Sequence, residues 1–211
     1  GNLNFRGNLN LSAPVTLNAN NVNLKGKNAA ILNGNAINYL TTNGAGTVNV
    51  ENLNPTRGQV NLPIGTATNF NPITIENTGI SDTFSVNVQD GISNTTGGAV
   101  NATWNISEAI AGDSNVNVSF TWNQTQENGL FNRNTAAVGH YYNTTWNSES
   151  SSIVTGTNPY TISATNISSF SPFGVLNQSA LGNTSFTTVE ISIYPNPSNG
   201  LFTLEMPIAA D

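Results

Sequence analysis

Val116-Asn117-Val118-Ser119-Phe120-Thr121-Trp122 is the stretch that decides how the chain folds. Apolar and polar residues alternate strictly along it, the period-2 signature of a strand with one buried face. Successive side chains of an extended chain point to opposite faces, so Val116, Val118, Phe120 and Trp122 form one apolar surface. The alternation recurs in Phe84/Val86/Val88 and Val100/Ala102/Trp104/Ile106 before it, and in Tyr160/Ile162/Ala164 after it. Turn signals separate these runs: Asp90-Gly91, Gly97-Gly98, Gly112-Asp113, Asn128-Gly129 and Thr157-Asn158-Pro159. The pattern predicts strands at 59–64, 71–77, 82–89, 99–107, 115–123, 136–142, 152–155 and 159–166. Short strands with frequent turns and almost no helical period describe an antiparallel β-sandwich, so the fold class is all-β. Ser107–Ala111 reads as a loop over one end, and 167–187 as an exit segment pinned by Phe170 and Phe173.

Residues 1–50 carry a different rhythm. Apolar pairs recur at Leu3/Phe5, Leu9/Leu11, Val15/Leu17 and Val22/Leu24, then more loosely at Ala30/Leu32 and Ile37/Tyr39. Asn, Gly or Pro stands between them, and each pair suits a very short strand. Such close, regular spacing predicts either the end of a stacked β-solenoid or a tight series of hairpins. The domain plan is therefore a repeat region over 1–50, a sandwich over 51–178, a linker over 179–187 and a separate segment over 188–211.

That last segment begins with alternating Val189, Ile191 and Ile193, turns through two prolines and an Asn-Gly pair, and resumes with alternating Phe202, Leu204 and Met206. Local physics reads it as strand, rigid corner, turn and strand. The run Ile193-Tyr194-Pro195-Asn196-Pro197-Ser198-Asn199-Gly200 resembles the start of the C-terminal sorting domain of type IX secretion cargo in Bacteroidota. The preceding block, from Pro63-Ile64-Gly65-Thr66 through Trp104 and Trp122 to Phe170–Gly174, more loosely resembles the β-sandwich that often precedes such domains. The resemblance implies an extracellular or outer-surface location. It also implies recognition of Tyr194, Pro195, Asn196, Pro197, Asn199 and Gly200 by the type IX translocon and sortase machinery.

Composition narrows the function. Only 8% of residues are charged, against roughly 25% in an ordinary soluble domain, and 38 asparagines take over the surface role. Five basic residues against eleven acidic ones give no nucleic-acid footprint. There is no cysteine, hence no disulfide and no thiolate metal site. The glutamates are scattered singly, so no glycosidase carboxylate pair stands out. Asp90 and Asp113 occupy turns in which aspartate also serves ordinary backbone geometry, and no cofactor is expected. The single histidine, His140, reads as a strand residue facing solvent or bonded locally, without a nucleophile elbow to support a triad.

Aromatic residues are the remaining candidates. Trp104 and Trp122 fall in register with core positions, whereas Trp146 sits in Asn143-Thr144-Thr145-Trp146-Asn147. Tyr141 and Tyr142 are adjacent, so one of them faces out of its strand. Trp146, Tyr141 and Tyr142 are accordingly the candidate glycan contacts. The expectation is a non-catalytic, secreted or cell-surface, adhesin-like protein, the C-terminal part of a longer chain, with fibre or lattice formation through strand edges. The alternatives are a carbohydrate-binding module and the spacer and sorting end of a secreted hydrolase.

Overall fold

The computed structural model describes residues 1–181, 192–194, 200 and 203–205. The chain begins with coils rather than hairpins. β1 (Leu3–Phe5), β2 (Leu9–Asn10) and β3 (Val15–Thr16) form one coil, and β4 (Val22–Leu24), β5 (Ile31–Leu32) and β6 (Leu40–Thr41) the next. A third starts with β7 (Val48–Leu53), passes through β8 (Val60–Leu62) and returns at β9 (Ile64–Gly65). Strands stack parallel from coil to coil: Leu3 opposite Val22 opposite Val48, Leu9 opposite Ile31, and Val15 opposite Leu40 opposite Ile64. Parallel pairing makes this a β-solenoid. The six- or seven-residue step in the sequence is one side of a coil, because ladder partners lie 19 and then 26 residues apart. After Leu24 the expected pairs slip, and Ile37 is 77% exposed in a turn whose Ile37 and Asn38 amides donate to Asn35 Oδ1.

Asparagine knits the coils together. Asn49 Nδ2 donates to Asn23 Oδ1 at 2.7 Å, and Asn23 Nδ2 donates to Asn4 Oδ1 at 2.9 Å. A second column runs through the backbone: the Asn21 amide donates to Asn2 Oδ1, and the Thr47 amide to Asn21 Oδ1. A carboxamide carries both a donor and an acceptor, so one residue type can repeat up a stack; each bond contributes about 0.5–1.5 kcal/mol net. Arg57 staples the same coils, giving Nη2 to Ala29 O at 2.9 Å and Nη1 to Leu24 O and Glu51 O. Burial lowers the pKa of this guanidinium, partly opposed by Glu51. At one corner Gly44 is required, since a Cβ there would sit 2.6 Å from the Asn18 carbonyl oxygen.

The sandwich comprises β10 (Ile73–Asn77), β11 (Asp82–Asp90), β12 (Ala102–Glu108), β13 (Val116–Trp122), β14 (Ala136–Tyr142), β15 (Thr145–Ser148), β16 (Thr155–Gly156), β17 (Tyr160–Ile167) and β18 (Pro172–Asn177). One sheet runs β1-β4-β7-β11-β12-β18-β14-β15 and the other β16-β17-β13-β10-β8. They meet through Trp104, Phe120 and Phe173, with ring centroids 5.1 and 5.9 Å apart. Trp104 and Trp122 are fully buried. Two strands were not expected. Residues 172–177, read as part of an exit segment, form β18 in the middle of the larger sheet, and 145–148 form its edge strand β15. Among the described residues the only helices are three 3-10 turns, and none is long and apolar enough to cross a membrane.

Solenoid and sandwich share one sheet and one apolar core. β7 pairs parallel with β4 on one side and antiparallel with β11 on the other. Thr42, fully buried, supplements that seam: its hydroxyl donates to Val88 O and accepts from the Val88 amide. Near the C-terminus, β19 (Ser192–Tyr194) pairs antiparallel with β20 (Thr203–Glu205), placing Ile193 opposite Leu204. Gly200 has φ +110°, as an Asn-Gly turn needs, while Pro195, Asn196, Pro197 and Asn199 lie outside the described residues.

Because the core is continuous, damage in the coils must reach the sandwich. Leu24→Ala, at a fully buried site, is expected to destabilise the protein by about 2–5 kcal/mol. Urea melts followed by tryptophan emission, which originates only in the sandwich, should shift together with far-UV circular dichroism. An unshifted tryptophan transition would show that the two parts unfold separately.

Candidate functional site

Trp146 sits on β15 directly opposite Tyr141 on β14. The next strand places Gly174 opposite Gly139. A Cβ on either glycine would lie 3.2 Å from the indole, so the pair leaves a slot that the ring fills. Leu176, Leu181, Ala99 and Ala137 are buried with it, and Ile92 packs against the cluster. Trp146 is only 4% exposed, and its Nε1–H donates to Ser93 O at 2.8 Å. The expected ligand platform is therefore corrected at this residue: the indole is packing, a second small core on the outer side of the larger sheet. Polar neighbours in sequence hid this, while two glycines inside apolar strands were the available signal.

The tyrosines divide. Tyr141 shares the face of Trp146, with ring centroids 5.1 Å apart, and its hydroxyl accepts from Asn94 Nδ2 at 2.8 Å. Tyr142 is 45% exposed and packs against His140 on the opposite face. The three candidates thus form no common surface. Tyr141 and the edge of Trp146 do line a shallow cleft of about 420 Å³ together with Asp90, Asn105 and Pro172.

His140 does not face solvent. It is 2% exposed, stacked on Phe173 at 4.5 Å with a 9° interplanar angle, and its Nδ1 lies 3.1 Å from Glu149 Oε1. The carboxylate can only accept, so Nδ1 carries the proton and Nε2 is left buried without a hydrogen-bond partner among the described residues. The neighbouring Ser151 hydroxyl is already committed, donating to Glu149 O and accepting from the Val138 amide. This local alternative was among the readings of the sequence, and the arrangement fastens β14 to the turn after β15.

A charged cluster escaped the sequence reading. Glu127 receives Arg133 Nε at 2.8 Å, Arg133 Nη2 at 2.6 Å and Trp122 Nε1 at 2.8 Å. Arg133 also lies 3.8 Å over the Tyr160 ring. The hydrogen bond to Glu127 raises the guanidinium pKa above its already high ordinary value. These groups close one end of the sandwich beside an inter-sheet cleft of about 520 Å³ lined by Arg133, Ser148, Glu149, Ser152 and Tyr160. The only hint in sequence was an opposite-charge pair six residues apart in a charge-poor chain.

Among the described residues no three His, Cys, Asp or Glu side chains gather where a metal ion would bind. Asp90 accepts from Asn69 Nδ2 at 3.1 Å, and Asp113 holds a turn at φ +62°. Comparison with family models, curated proteins and solved structures finds no match in any of the three.

Burial makes the first test one of stability. Trp146→Ala is expected to cost about 3–5 kcal/mol, whereas Tyr142→Ala should stay within about 0.5 kcal/mol. Paired urea unfolding curves measure both, and a neutral Trp146→Ala would contradict the packed slot.

Proposed function

We propose that the chain is a non-catalytic structural part of a secreted or cell-surface, adhesin-like protein, the C-terminal portion of a longer chain exported by the type IX route. The observation that carries the structural half is the eight-stranded sheet running without interruption from the first coil to the far edge of the sandwich. Such a sheet joins coil stack and sandwich through backbone hydrogen bonds and a common core instead of a linker, which suits a stalk or spacer that transmits force. Export rests on the resemblance of Tyr194-Pro195-Asn196-Pro197-Ser198-Asn199-Gly200 to the sorting-domain start. An address read by a receptor is separable from what the body does.

Expressed with a signal peptide in a type IX-competent bacterium, the chain is expected at the surface, digestible by added protease. Alanine at Tyr194, Pro195, Asn196 and Pro197 together, or loss of the translocon, should leave it protected in the periplasm. Undiminished surface exposure without the translocon would overturn the export reading.

A second reading, polysaccharide binding, is favoured by the cleft beside Tyr141, where amide and carboxylate groups of Asn105 and Asp90 flank aromatic edges. Affinity electrophoresis in gels containing soluble polysaccharide tests it. Retardation that disappears in Tyr141→Ala, with Tyr142→Ala as the opposite-face control, would establish it; unretarded wild-type chain would remove it.

A further inference from the structure

Charge is scarce in this chain, and much of what is paired gathers in one place. Among the described residues three pairs are close enough for ion pairing. Two of them, Arg133–Glu127 and His140–Glu149, each put one member, Arg133 and Glu149, into the same inter-sheet cleft. The chain changes sheet there. After β15 the Glu149 amide donates to Val138 O in the larger sheet, and the Ser152 amide donates to Ser163 O in the other. Between this crossing segment, the start of β14 and Tyr160 lies the volume of about 520 Å³, within the usual range of small-molecule sites.

Both charged groups are held in place by the protein itself. Arg133 gives Nε and Nη2 to Glu127 and lies over the Tyr160 ring, which leaves Nη1 outside those bonds. Glu149 receives His140 Nδ1 on Oε1, which leaves Oε2 outside that bond, and His140 is stacked on Phe173. Side chains fixed in this way lose little entropy when a ligand arrives. The amides of Asn134 and Gln178 share the lining, together with Ile153, which is 82% exposed on the crossing segment.

Charge and hydrogen-bond capacity select the ligand. Glu127 already matches Arg133, so an anion finds no uncompensated cation and meets the Glu149 carboxylate besides. A cation drawn to Glu149 meets the guanidinium. A hydroxyl is neutral and both donates and accepts, so neighbouring hydroxyls of one molecule can serve Glu149 Oε2 and Arg133 Nη1 together. The C–H surface of such a molecule suits the exposed Ile153 side chain.

We propose that the inter-sheet cleft binds a neutral sugar residue, with Glu149 accepting from one hydroxyl and Arg133 donating to a neighbouring one. The site is separate from the cleft beside Tyr141, and the proposal does not depend on the export route.

Saturation-transfer difference NMR on the full chain is the test, with the methyl glycosides of glucose, galactose, mannose and N-acetylglucosamine and with linear oligosaccharides of the same sugars. Transfer to one or more of them is expected. Glu149→Gln keeps an acceptor for His140, and Arg133→Lys keeps a cation for Glu127. Each should weaken binding about tenfold, the factor of a lost hydrogen bond to a charged group. Ile153→Asp should weaken it too, at a position too exposed to disturb folding, whereas Ile80→Ala, 65% exposed outside the cleft, should not. Tighter binding of the oligosaccharides would identify a polysaccharide as the source, and equal binding a single sugar. No transfer to any of these sugars would overturn the proposal. So would binding indifferent to Glu149→Gln, Arg133→Lys and Ile153→Asp, and its loss in Tyr141→Ala would assign it to the other cleft.

Discussion

Everything in this molecule depends on β7 being paired in two senses at once. Its β4 edge accepts the parallel ladder of the coils and its β11 edge the antiparallel ladder of the sandwich. A strand can do this because its two backbone edges are chemically independent, while its side chains serve one pleat. Val48, Val50 and Leu53 all point inward and are fully buried, so the same side chains finish the solenoid core and begin the sandwich core. A register shift falls between Asp82 and Phe84, where the three steps from Val50 to Leu53 along β7 face two along β11. Asn77 then ties the bend down, with Nδ2 donating to Leu53 O and Ile80 O and Oδ1 accepting from the amides of Gly79 and Asn115.

Where side-chain period alone settles a strand, the sequence is legible. β11, β12, β13 and β17 bury the residues their alternation marks, and Trp104 and Trp122 are core as their register implies. Legibility fails where small or polar residues do the packing. Pro172-Phe173-Gly174 carries turn composition, yet Gly174 is needed in mid-sheet to admit the Trp146 ring, and Pro172 stands at the strand's first position, where a missing donor costs least. The coils were legible in rhythm and not in pairing sense, since a hairpin and a coil place apolar residues alike and differ only in which backbone edge meets which. The aromatic candidates were misjudged at Trp146 because local polarity says nothing about a slot built by Gly139 and Gly174 from other strands.

The abundance of asparagine is one solution to three separate problems. Stacked coils need a residue that donates and accepts in the same column, which the Asn4–Asn23–Asn49 ladder supplies. Tight corners need positive φ, and among the described residues seven of the nine non-glycine residues with positive φ are asparagine, among them Asn18, Asn33 and Asn52. Buried seams need polar groups that can be fully satisfied: Asn71 and Gln126 exchange two amide hydrogen bonds in the core while Trp104 Nε1 donates to Asn71 O. Aspartate would meet the corner requirement but not the other two, because a carboxylate cannot donate and its burial is costly.

Amides have a further consequence that charges do not. They neither titrate near neutrality nor gather screening counterions, so a ladder built on them keeps its strength as pH and salt change, whereas exposed ion pairs weaken as salt rises. Among the described residues only Lys25–Glu51, Arg133–Glu127 and His140–Glu149 are ion-paired by distance, and just one of these lies in the coils. The coil stack is thereby nearly independent of ionic conditions. Apolar packing and amides, rather than charges, therefore hold the coils together.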